Sequence, residues 1–247
     1  MRPALLIALL LPLAAPAQEA RFSFGVSAGW ANLAMRAVRQ KNESDVNGVS
    51  GFIALGFPVA PFPALNPVPF VTARAAYRFS HASSLSLSVQ TFARTLEAAT
   101  PAGQPHLYLQ RGLGATDIML GAAHHFRPSV GDLDVAVELA VGATAAWVTT
   151  EAFGTAEIIV SKETVKVTIY DSQTELTLTS PFALVGIAAG LPLPGPLALQ
   201  AAARYKSGPI TKMSGEAIEF GVTTGYVSQT EFDFSGLFLS LGLALEF

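Results

Sequence analysis

The sequence predicts an all-β protein, an antiparallel up-and-down transmembrane β-barrel of eight strands, with ten as the alternative, and with long outer loops. Three observations predict it. The last twelve residues, 236–247, alternate with a period of two. Leu237, Leu239, Leu241, Leu243, Leu245 and Phe247 share one face; Phe238, Ser240, Gly242, Ala244 and Glu246 share the other. A uniformly greasy face suits a strand that meets lipid. Second, 51% of the residues are apolar, yet no stretch makes a membrane helix. The uncharged segments 46–73 and 176–203 hold five and four prolines, so neither is one continuous helix. Only helices and closed barrels satisfy the backbone in lipid. Third, long connections (34–69, 96–111, 149–175, 207–230) alternate with short ones (80–83, 127–131, 192–196). Outer-membrane barrels have this rhythm, with short periplasmic turns and an even strand number.

Residues 1–17 read as a secretory signal peptide: Arg2, an apolar run, then Ala15-Pro16-Ala17 before the expected cleavage point. Residues 18–247 then form one barrel domain. There are no cysteines, so no disulfide is needed. Without Arg2, 14 basic and 18 acidic side chains leave a net charge of −4. Nucleic acid, which selects basic surfaces, is not an expected partner.

In chain order, 21–33 is the first strand, with Phe22, Phe24, Val26, Ala28 and Trp30 on one face. Residues 36–47 are polar and loop-like. Residues 49–69 are apolar but rich in proline. Treating 51–59 as a strand makes nine, so this segment is expected to form an apolar lid in the first loop, through Phe52, Ile53, Leu55, Phe57 and Phe62. Strands follow at 70–79, 84–95, 112–126 and 133–147. Residues 149–175 are polar but rich in β-formers, and read as strands that continue past the membrane into a hairpin. Residues 176–191 return, with a bulge expected at Pro181. Strand 197–206 goes out, 207–230 is expected to be a long loop, and 236–247 closes the barrel. Outward aromatics then gather at two levels: Phe22, Phe24, Tyr77, Phe79, Phe126 and Phe247 at the periplasmic edge, Trp30, Trp147 and Tyr205 at the outer edge.

An eight-stranded barrel is filled by its own side chains. Its inward charges are expected at three heights. Arg78, His125, Asp134 and Glu246 lie near the periplasm; Arg74, Gln90 and Glu138 at mid-height; Arg94, Asp117, Arg204 and Lys206 towards the outside. Unpaired buried charge is costly, so these groups are expected to pair across the lumen. No catalytic residue, metal site or cofactor is expected. His81 falls in a turn, His124 and His125 point to opposite faces of one strand, and His106 lies in an outer loop.

The signal segment, the alternation and the final Phe247 together resemble the small eight-stranded outer-membrane proteins, including the OmpA-type and OmpW-type barrels. That resemblance implies a place in a bacterial outer membrane with both termini periplasmic, contact with its lipid, and recognition of Phe247 by the barrel-insertion machinery. Two roles are expected. One is a narrow porin-like channel or uptake protein for small solutes, hydrophobic ones included. The other is a non-conducting structural or surface-interaction barrel that acts through its outer loops.

Overall fold

The computed structural model describes residues 21–34, 66–99, 107–126, 133–160 and 163–247. They form ten strands: β1 (Arg21–Leu33), β2 (Val68–Ser80), β3 (Ser83–Ala99), β4 (Leu107–Phe126), β5 (Asp134–Val160), β6 (Glu163–Pro192), β7 (Leu197–Ser207), β8 (Thr211–Glu219), β9 (Val222–Phe232) and β10 (Gly236–Glu246). Eight of them, β1 to β7 and β10, close an antiparallel ring. The first and last strands pair along their whole length, from Ser23 opposite Glu246 to Leu33 opposite Gly236. β8 and β9 leave the ring as a hairpin, and β8 pairs with the upper part of β6. The ten-strand alternative is thereby set aside, because the two additional strands lie outside the ring.

Strand alternation sorts the side chains. On β10, Leu237, Leu239, Leu241, Leu243 and Leu245 face outward, while Phe238 and Ala244 are buried. The exposed apolar belt continues around the ring through Val26, Val71, Leu87, Leu120, Val141 and Ile187. Along β10 it runs for about ten residues, roughly 25 Å of height at the usual strand tilt. Aromatic rings mark one edge of the belt. Phe22 packs on Tyr77 at 4.8 Å between centroids, Phe24 on Phe247 at 6.5 Å, and His124 on Phe126 at 4.7 Å. Exposed Trp30 and Tyr205 lie towards the other edge.

The wall is uneven. β1, β7 and β10 have 13, 11 and 11 residues, but β5 has 27 and β6 has 30. β5 and β6 stay paired to Val160 opposite Glu163. Three sequence expectations need correction here. Residues 96–99 and 107–111 are not loop but continue β3 and β4. Residues 207–230 contain the β8–β9 hairpin. Pro181 makes no bulge: it stays in register opposite Ala143, and the shift between β5 and β6 falls at Gly154/Thr155 instead. Proline is tolerated there because β6 has a gap on its other side. β7 pairs only from Ala183 onward and β8 only up to Thr177, so on that side no strand among the described residues asks Pro181 for an N–H.

The upper lumen is an apolar core. Leu33, Val68, Phe70, Phe92, Leu96, Leu113 and Phe238 pack with Met213 of β8, with Phe232 at the end of β9 and with Phe234 beyond it. The hairpin and its return segment therefore cover the mouth. The inward parity thus turns apolar towards the long-loop end, above the charged positions that the sequence marks.

Candidate functional site

Below this core the lumen carries three polar layers. The layer at the short-turn end joins four strands. Arg78 of β2 lies opposite Ser84 of β3. Ser84 lies opposite Ala123, two residues before His125 on β4. His125 lies opposite Ala136, two residues after Asp134 on β5. Same-face diagonal neighbours are within reach of each other, so the register gathers all four. Ser84 Oγ is 2.8 Å from His125 Nε2. His125 Nδ1 is 3.0 and 3.2 Å from the two carboxylate oxygens of Asp134. The Arg78 guanidinium donates to Asp134 and also touches Nδ1. A cavity of about 470 Å³ opens at this end, with Phe22, Leu133, Gln200 and Glu246 among its walls.

In the middle layer, Glu138 receives Arg74 through one oxygen and Arg204 Nε at 2.7 Å through the other. Arg74 Nε is buried without a hydrogen-bond partner among the described residues. Met119, Phe182 and Leu184 pack in a small apolar cluster of their own. In the upper layer, Lys206 Nζ donates to both oxygens of Asp117 at 2.6 and 2.8 Å. Thr144 donates to Asp117 at 2.7 Å, Gln90 at 3.4 Å, and Thr72 donates to Gln90 at 3.2 Å. Lys206 also lies 4.6 Å from the centre of the Phe182 ring. The two charged side chains are 1% and 0% exposed. Such a pair persists only because its lone pairs and protons are met.

The expected heights shift in two places. Gln90 sits with Asp117 rather than Glu138, and Arg204 sits with Glu138 rather than Asp117. Counting residues along strands ignores the stagger that a closed barrel imposes between neighbours. Glu246 lines the cavity at the turn end, and Arg94 donates to the Pro67 carbonyl near the mouth. Sequence reasoning missed Ser84, Thr72 and Thr144, whose role needs the register. It also missed the plug, although Phe70, Phe92 and Phe238 all lie on the inward parity. The lid residues Phe52, Ile53, Leu55, Phe57 and Phe62, His106 and the signal segment lie outside the described residues.

No protein-family model matches the chain, and no curated protein sequence does. Solved structures do. A major outer membrane protein from Thermus thermophilus is similar with a TM-score of 0.52 at 11% identity, over 93% of this chain and 100% of that one. Ail, the attachment invasion locus protein of Yersinia pestis, has a TM-score of 0.47 at 10% identity, over 93% and 100%. The N-terminal β-barrel domain of Pseudomonas aeruginosa OprF has a TM-score of 0.37 at 9% identity, over 94% and 100%. The fold is that of the small outer-membrane β-barrels.

Proposed function

We propose that this chain is an outer-membrane barrel that does not conduct and that acts through the sheet raised above its mouth. The belt of outward leucines and the aromatic edge support the membrane setting. Phe22 and Phe247, at the two ends of the chain's ring strands, lie beside each other at the short-turn end, and on this reading that end is periplasmic.

One observation carries the non-conducting role: the apolar core of Leu33, Phe70, Phe92, Met213 and Phe238 lies across the upper lumen, above three ion-paired layers. An ion crossing it would shed its hydration against side chains that offer no replacement. Planar-bilayer recording on the purified protein tests this. The expected result is a flat trace with no liposome swelling by small solutes. Discrete conductance steps overturn it. A narrow solute channel is the second reading, favoured by the cavity that opens at the turn end and reaches Glu138.

A further inference from the structure

The turn-end layer holds more chemistry than an ion pair needs. Ser84 Oγ, His125 and Asp134 stand in line at 2.8 Å and 3.0 Å, on opposite nitrogens of one imidazole. Nδ1 faces both carboxylate oxygens of Asp134 and also Arg78 Nη2; with the guanidinium donating to Asp134, the tautomer that gives the carboxylate a ring N–H is the one with the proton on Nδ1. Nε2 is then the acceptor for the Ser84 hydroxyl. All three residues line the same cavity, which opens to solvent and measures about 470 Å³. We infer that Ser84, His125 and Asp134 form a nucleophile, base and orienting group for hydrolysis of small carboxylic esters at the turn end of the lumen.

Geometry supports each role. A serine hydroxyl is a weak nucleophile until a positioned base removes its proton. The carboxylate fixes the imidazole's tautomer and stabilises the imidazolium. Arg78 stands opposite Ser84 across β2 and β3, and among the described residues only its Nη2 is engaged. Its remaining N–H groups are donors for the oxygen that gains charge. Phe22, Leu133 and Pro192 give the cavity an apolar wall for a short acyl chain.

The steps balance without any further reagent than water. Ser84 Oγ bonds to the ester carbonyl carbon while its proton passes to His125 Nε2. The carbon–oxygen bond to the alcohol breaks, and the alcohol takes that proton. Water then adds to the acyl carbon, giving a proton to Nε2. The acid leaves as Ser84 Oγ regains the proton.

The test uses the full chain folded in detergent micelles, so it does not depend on the conduction reading. The probes are p-nitrophenyl butyrate and a fluorophosphonate, with the adduct located by peptide mass spectrometry. The expected result is label on Ser84 of the unmodified protein. Arg78 and Asp134 face the His125 imidazole, and Arg74, Glu138 and Glu246 line the same cavity. Ester turnover should fall by about 100-fold or more in Ser84→Ala and in His125→Gln. A folded, unmodified protein with no adduct at Ser84 overturns the inference and leaves a structural cluster. So does label that persists undiminished in His125→Gln. The labelling of the unmodified chain decides the matter even where a variant does not fold.

Discussion

Lys206 and Asp117 are the most deeply buried charges among the described residues, and each depends on the other. Lys206→Met keeps the length and removes the ammonium, leaving Asp117 with Gln90 and Thr144 alone. Losing one partner of such a pair costs about 3–5 kcal/mol. Denaturant unfolding in micelles should show this drop, and Asp117→Leu added to Lys206→Met should recover much of it. A single variant as stable as the parent would show that the pair contributes little. At the tip of the β8–β9 hairpin, Phe220 has φ of 47° and Gly221 has φ of 80°. Glu219 pairs with Val222, so these two residues form the turn. A bulky residue is rarely found at positive φ, whereas asparagine before glycine favours it. Phe220→Asn should therefore strengthen the hairpin by about 0.5–1 kcal/mol, read as slower amide exchange in β8 and β9.

At the scale of elements, the ring strands were legible because one face is greasy all along them. The residues behind the legible strands are particular: Leu237 to Leu245 on β10, Leu85 to Val89 on β3, and Val137 to Val141 on β5. The hairpin was not legible. Residues 222–227 of β9 are exposed on both faces, so no alternation marks them. Met213, its anchor, stands among polar immediate neighbours, Thr211, Lys212, Ser214 and Glu216. The heights of Gln90 and Arg204 were misjudged for a different reason, since stagger between strands is a property of the closed ring. Met213 is fully buried in the apolar core. Met213→Asp should detach the hairpin while leaving the ring closed. Limited proteolysis should then cut within 211–232 and spare the rest. Gly29 lies at the seam between β1 and β10, where a Cβ would sit 1.8 Å from the Leu239 carbonyl oxygen. Gly29→Val should push these strands apart, and the heat-modifiable gel band of a closed barrel should vanish.

For the whole molecule, the outward belt makes a location testable. The protein should fractionate with outer membranes and shift on gels after boiling. Recovery from the soluble periplasm would overturn the membrane setting. The fold class follows from period and loop rhythm alone, but the triad-like layer does not. Ser84, His125 and Asp134 come from three strands, and only their diagonal registers bring them together.

The seam between β1 and β10 also bears on how the chain folds. It joins residues from opposite ends of the sequence, so every other strand lies inside the loop that this pairing closes. Contacts between neighbouring strands can form locally, but this one carries the largest loop-closure entropy in the fold. Closure is therefore expected last and slowly. Until it happens, β1 and β10 each present an unsatisfied edge, which is a template for pairing with another chain. The interval before the seam forms is when this protein is most prone to aggregate.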